Sequence, residues 1–237
     1  MIKTKRSLPF PLFLLILAVV SLGAWYTLKT YAPTPLPVGI NEVTSTGTVT
    51  LEASPAPTNK FLGQSFTLDI NAKSGPDKVT AVQLELVYDP AKLEVTNFTK
   101  TDYLPIYLVQ PVLTSGKVTA TLAAPPDSGG KADWGTIGKI IVKPLTLGTH
   151  SIHFNDGTLV ATINSTGNAL KSVTSAIITV LNLGDINMDK KIDLFDYNIF
   201  VAEYGKTGYS WADLNQSSKV DLFDYNIFVA NYGKTSP

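Results

Sequence analysis

The chain of 237 residues contains no cysteine. That excludes disulfides, thiol nucleophiles and cysteine-ligated zinc together, although it says little about compartment. Histidine is almost as scarce. His150 and His153 are the only two, and an offset of three on a predicted strand sends them to opposite faces, where they cannot readily share one metal. Charged residues are few, at 16%, and formal net charge is zero. No overall field therefore draws the chain toward nucleic acid or an anionic membrane, and no basic stripe is visible. Phosphate-binding loops and nucleophile elbows are missing as well. Glu85 and Glu94 could pose as a glycosidase pair, but such carboxylates occur in any strand-rich domain. No catalytic constellation emerges, and the expectation is a binding protein, not an enzyme.

What is present begins with an apolar run at the N-terminus. Residues 8–28 are almost uncharged and follow Lys3, Lys5 and Arg6, a length of about 20 residues that suits a bilayer core. The cationic flank assigns residues 1–7 to the cytoplasm and everything after Lys29 to the outside. The competing reading is a cleaved signal peptide, which would leave a secreted protein. Its cleavage site would be Ser21-Leu22-Gly23 or Leu22-Gly23-Ala24, neither a clean small-x-small match, so a single-pass anchor is preferred. Residues 29–45 include Ala32-Pro33-Thr34-Pro35-Leu36-Pro37, an extended, stiff linker.

From residue 46 to 181 the pattern is of short alternating runs separated by turn residues. Ser65 to Ile70 alternates cleanly, and Val79 to Tyr88 sets Val82, Leu84, Leu86 and Tyr88 on one face. Further strands are expected at 48–51, 117–122, 138–142, 150–154, 158–163 and 176–180, with turns at Pro125 to Gly130 and Asn155-Asp156-Gly157. Eight or nine strands and no sustained helical period predict a mainly β chain, a β-sandwich of jelly-roll type. Tyr103, Tyr107 and Trp134 are candidates for a platform that stacks sugar rings. The run from Ala81 to Val95, with Asp89-Pro90 as its turn and Leu93 returning to the core, resembles the strand-turn-strand hallmark of cohesin domains and related carbohydrate-binding sandwiches.

The C-terminus holds a duplication. Lys191 to Lys206 reads KIDLFDYNIFVAEYGK and Lys219 to Lys234 reads KVDLFDYNIFVANYGK, identical at 14 of 16 positions with a spacing of 28. Ahead of each helix-like run lies a loop of oxygen-bearing side chains. Asp185, Asn187, Asp189, Asp193 and Asp196 stand at loop positions 1, 3, 5, 9 and 12, with the carbonyl of Lys191 at position 7. Asp213, Asn215, Ser217, Asp221 and Asp224, with the carbonyl of Lys219, repeat the set. Six to eight oxygens at this spacing suit calcium, a hard cation, so two Ca2+ sites are expected. The second loop has Ser217 where the first has Asp189, one carboxylate fewer, and is expected to be the weaker site. Position 6, usually glycine, is Lys190 in one loop and Ser218 in the other. Ile192 and Val220, at position 8, are expected to pair the two loops as a small ribbon.

Only exiting helices are predicted, over about 194–204 and 222–232. Residues 176–180 read as a strand, and 205–212 carry two glycines. One calcium loop followed by one helix, duplicated within 183–237, resembles a type I dockerin. The resemblance implies partner contacts at loop positions 10 and 11, here Leu194, Phe195, Leu222 and Phe223, although the same residues could instead close the core between the helices. The combined expectation is a membrane-tethered extracellular assembly module acting through calcium-dependent cohesin–dockerin interaction. Cohesin- or dockerin-bearing proteins would be its partners, as in cellulosome-type systems linked to polysaccharide breakdown. A second reading is a surface protein whose sandwich binds polysaccharide, and a third has the C-terminal module folding against its own sandwich.

Overall fold

The computed structural model describes residues 47–55 and 58–237. The expected anchor at 8–28 and the linker at 29–45 lie outside them. Among the described residues no helix is long and apolar enough to cross a membrane. The described chain belongs to one compact unit, Glu42–Pro237.

Among the described residues twelve strands build the sandwich: β1 (Val49–Ser54), β2 (Thr58–Phe61), β3 (Phe66–Lys73), β4 (Val79–Tyr88), β5 (Leu93–Lys100), β6 (Ile106–Thr114), β7 (Lys117–Ala123), β8 (Trp134–Pro144), β9 (Gly148–Phe154), β10 (Leu159–Thr162), β11 (Leu170–Thr174) and β12 (Ala176–Leu181). One sheet runs β11-β1-β3-β8-β5. The other runs β2-β12-β9-β4-β7-β6, with β10 also paired to β4. Most pairs are antiparallel, but β1–β11 and β2–β12 are parallel.

Alternation explains the layering. In β4, Val82, Leu84, Leu86 and Tyr88 are buried while Gln83, Glu85 and Val87 lie on the other, wetter face, as a half-buried strand requires. Leu51, Leu68, Ile70, Ile140 and Val142 from the facing sheet complete one continuous core with them. The Asp89-Pro90 turn behaves as its sequence suggests. Asp89 accepts from the backbone N–H groups of Lys92 and Leu93 at 3.0 Å each, and Leu93 is buried.

The strand count exceeds the expected eight or nine. β2 and β11 are short and partly polar, and β6 is an edge strand with its exposed side chains out of alternation. Pro111 is tolerated inside β6 because an edge strand has an unpaired side. His150 and His153 do lie on opposite faces. His150 is buried, with Nε2 2.8 Å from the Thr146 carbonyl oxygen, whereas His153 is half-buried and its pKa is lowered by that burial. Glu85 and Glu94 belong to different sheets. Glu85 is held by Lys117 at 2.9 Å and Asn155 at 2.6 Å, so the two carboxylates do not form a catalytic pair.

Candidate functional site

The duplicated segment folds as two loops, each followed by one helix: α1 (Leu194–Glu203) and α2 (Leu222–Asn231). Their starts are determined by the loop acids. Asp193 caps α1 by accepting from the Phe195 N–H at 2.8 Å, and Asp196 reaches back to the Asp193 N–H at 2.9 Å. Asp221 and Asp224 repeat this capping box on α2, at 3.0 and 2.8 Å. Such reciprocal caps satisfy backbone donors that a helix start leaves open. The other oxygens of Asp196 and Asp224 accept from Asn187 and Asn215 N–H groups, at 3.0 Å each, and close the two loops.

Both loops bend through left-handed backbone at position 6, φ +75° at Lys190 and +70° at Ser218. A side chain there costs about 1–2 kcal/mol. The bend nonetheless turns backbone donors inward: Asp185 accepts from the Lys190 N–H at 2.9 Å and Asp213 from the Ser218 N–H at 2.7 Å. Asp185 is fully buried, and its Oδ1 has no hydrogen-bond partner among the described residues. Burial, and then the neighbouring Asp196 carboxylate, push its pKa up to about 6 against the pull of the Lys190 N–H. A buried carboxylate oxygen without a donor suits a cation. Among the described residues no three histidine or acidic side chains converge on one point. The loop donors are of mixed kind, with amide, hydroxyl and carbonyl oxygens interleaved among the carboxylates.

The module has a small core of its own: Ile186, Ile192, Phe200, Ala212, Leu214, Val220 and Phe228. Phe200 and Phe228 stack with centroids 5.6 Å apart. Leu194, Phe195, Leu222 and Phe223 are not in it. They are 60, 69, 59 and 71% exposed, which removes the alternative that they close the core. The near-equality of the two pairs reflects the two-fold likeness of the copies.

The expected ribbon between Ile192 and Val220 does not form. Both are buried, but each pairs with the chain leaving the other copy's helix. Ile192 donates to the Lys234 carbonyl at 3.0 Å and accepts from Gly233 at 2.8 Å, while Val220 donates to Lys206 at 3.0 Å and accepts from Gly205 at 2.8 Å. Gly205 and Gly233 sit at φ +85° and +83°, the left-handed turn that glycine permits after a helix. That turn carries each chain end back past the opposite loop.

The module rests on the sandwich through residues that the sequence reading did not single out. The Trp211 ring meets Phe61 edge-on at 5.7 Å, and Gln64 Nε2 donates to the Leu214 carbonyl at 2.7 Å. On the other side Asn182, just past β12, donates from its backbone N–H to Ser236 Oγ at 2.8 Å and from Nδ2 to the Thr235 carbonyl at 2.9 Å. A cleft of about 410 Å3 opens beside Trp211, lined among others by Lys60, Phe66, Tyr209 and Asp213. The available signal was a difference between copies: Tyr209 and Trp211 precede the second loop where Leu181 and Leu183 precede the first.

Of the three rings expected to form a sugar platform, Tyr103 and Tyr107 are partly buried against the sandwich core. Tyr103 lies against Gly135, with its hydroxyl donating to the carbonyls of Ala132 and Asp133 at 3.1 and 3.2 Å. The Tyr107 hydroxyl accepts from the Lys100 N–H at 3.0 Å. Trp134 alone is well exposed, at 59%. Elsewhere on the sandwich, Leu108, Val109 and Val112 of edge strand β6 are apolar yet 51, 43 and 51% exposed.

The fold is an antiparallel-rich β-sandwich, and sequence comparison supplies its family. The cohesin domain model matches residues 52–180, more than half of the chain, and the chain belongs to the cohesin family. The match ends before the duplicated loops. No curated protein matches the chain. Among solved structures, the chain is similar to a non-cellulosomal cohesin from Archaeoglobus fulgidus at 15% identity, covering 57% of this chain and 93% of that one with a TM-score of 0.47. It is also similar to the seventh ScaB type I cohesin from Pseudobacteroides cellulosolvens, at 17% identity, 56 and 92% coverage and a TM-score of 0.47. For CaCohA2 from Clostridium acetobutylicum the values are 17%, 56 and 91%, and 0.48. Membership rests on the family model alone. Cohesin domains are interaction modules that bind dockerin-bearing partners.

Proposed function

We propose that this chain is a two-faced assembly module, tethered at its N-terminus to the outer side of a membrane. Its sandwich takes dockerin-bearing partners, and its C-terminal module is dockerin-like, binds two calcium ions and takes cohesin-bearing partners. The observation that carries the second half is the exposure of Leu194-Phe195 and Leu222-Phe223 beside a core that already contains Phe200 and Phe228. Apolar pairs left in water at the start of two matching helices are what a partner would bury.

Asp185, Asn187, Asp189, Lys191, Asp193 and Asp196 would hold the first ion through side chains and the Lys191 carbonyl. Asp213, Asn215, Ser217, Lys219, Asp221 and Asp224 would hold the second likewise. The ion would neutralise the crowded carboxylates, and the unpartnered Oδ1 of Asp185 supports that assignment. On the sandwich, edge strand β6 with Leu108, Val109 and Val112 is the surface offered for a dockerin. Neither surface takes part in the contact between module and sandwich, so both remain open to partners in trans. Any link to polysaccharide would then come through what those partners carry.

The test is capture of purified cohesin and dockerin domains by the full chain, in calcium and in chelator. Cohesin capture that needs calcium and is lost in the double variant Phe195→Ala/Phe223→Ala supports the reading. Equal capture in chelator and by the double variant removes the dockerin half of it.

A further inference from the structure

The two loops are nearly the same in sequence but not in setting. The first follows directly from β12 through Asn182, Leu183 and Gly184. The second hangs between two helices and meets the sandwich only by side-chain and carbonyl contacts. Those contacts fall on its first residues. Leu214, at loop position 2, lies between the ligand positions Asp213 and Asn215, and its carbonyl takes the Gln64 amide at 2.7 Å. Trp211, two residues before Asp213, is edge-on to both Phe61 and Tyr209, at 5.7 and 5.5 Å. Lys60 Nζ lies 4.9 Å from the Phe66 ring and 6.0 Å from that of Trp211. Between these anchors Ala212 is completely buried, and Ser210 Oγ accepts its N–H at 3.1 Å. The backbone that carries the ligands at positions 1 and 3 is thus held from outside the loop.

We propose that the sandwich tightens the second calcium site: Gln64, Phe61 and Lys60 fix the Trp211–Leu214 segment, so calcium binds the second loop with less ordering left to do. This rests on the reading of both loops as calcium sites. Ordering a segment before a ligand arrives removes part of the entropy that binding would otherwise cost. The effect is selective. The contacts at Trp211 and Leu214 bear on the second loop, the one with a carboxylate fewer, whereas the sandwich reaches the first loop elsewhere, through Asn59 Nδ2 at 3.5 Å from Met188 Sδ. Linkage also runs in reverse, since whatever factor the contact adds to calcium affinity, calcium adds to the contact. Calcium binding at the second loop and the docking of that segment on the sandwich are therefore coupled.

The experiment is a calcium titration of the full chain, buffered by a chelator and followed by NMR at the backbone amides of Lys190 and Ser218, one in each loop. It is repeated for Gln64→Ala and for Trp211→Ala. The Ser218 transition should move to higher calcium by about fivefold or more, the low end of ordinary coupling between sites, while the Lys190 transition stays in place. Gln64→Ala removes one side-chain amide and leaves every ring, so its result stands even if Trp211→Ala loosens the module. A smaller shift at Ser218, or equal shifts at both amides, overturns the inference and leaves the calcium sites intact. No calcium response at either amide of the unaltered chain would instead remove the calcium reading itself.

Discussion

Truncating Phe195 and truncating Phe200 should have opposite consequences although the two rings are five residues apart on one helix. Phe195 is 69% exposed, so Phe195→Ala uncovers little that folding had buried and should change stability by no more than about 0.5 kcal/mol. Phe200 is 1% exposed, stacks on Phe228 at 5.6 Å, and lies 6.1 and 6.0 Å from the rings of Tyr204 and Tyr225. Phe200→Ala leaves a cavity in a core of only a few large side chains, at a cost of about 3–5 kcal/mol. For a module of this size that is a drop in melting temperature of roughly 12 °C or more, against less than about 4 °C for Phe195→Ala. The assay is thermal denaturation of the full chain in calcium, followed in the near-ultraviolet aromatic circular dichroism. Partner capture should show the reverse order. Phe195→Ala is carried by the matching face at Phe223, and only the double variant loses binding. A melting drop for Phe195→Ala as large as that for Phe200→Ala would refute the reasoning and return Phe195 to the core.

Removing calcium from the isolated segment 184–237 should abolish its helical circular dichroism, because seven carboxylates then repel one another around a core too small to order the chain. An unchanged spectrum in chelator would contradict this. Ser218→Gly should stabilise the module by about 1 kcal/mol in denaturant titrations, since it relieves a side chain at φ +70°. Gly135→Ala should destabilise the sandwich by about 1–3 kcal/mol, because the new methyl would lie 2.0 Å from the Tyr103 ring. Burial works against the Glu85 carboxylate, but hydrogen bonds from Asn155 and Lys117 together with the Lys117 charge outweigh it and hold its pKa below the usual value. Its contribution to stability is therefore present above the unfolded carboxylate pKa and lost as pH falls through the folded one. Glu85→Gln should flatten that acid limb in melts taken across pH.

The parts of this fold that were legible in the sequence are those in which one side chain answers to one environment. Val79 to Tyr88 alternates because one face of β4 is dry and the other wet. Oxygen-bearing side chains repeat at fixed loop positions because the loop geometry repeats, with left-handed backbone at position 6 and a capping box in each copy. Where that correspondence fails, so does reading by pattern. In β6, Leu108, Val109 and Val112 are apolar yet exposed, and an edge strand with shifts in its register has no clean period to detect. β2 and β11 owe their existence to parallel partners far along the chain, β12 and β1. The pairing of Ile192 and Val220 was misplaced for a related reason. Their β-branched character marked them as extended and buried, which they are, but spacing carries no information about which strand lies beside them. Trp211 on Phe61 follows no spacing rule at all, and only the inequality of the two copies pointed to it.

The crossing of the two copies has a consequence for the repeat as a unit. Each loop is completed by the chain that follows the other helix, so one copy in isolation lacks the strand its position 8 must pair with. The unit that was duplicated in sequence is therefore not the unit that folds. A chain carrying a single copy would present an open bridge at Ile192 and a loose tail at Gly205 to Thr207, and a second such chain supplies what each lacks. Two half-modules would exchange tails and close as a symmetric, swapped pair. Fusing the copies makes that exchange internal, and what would be a dimer in the half-length form is here a single folded domain.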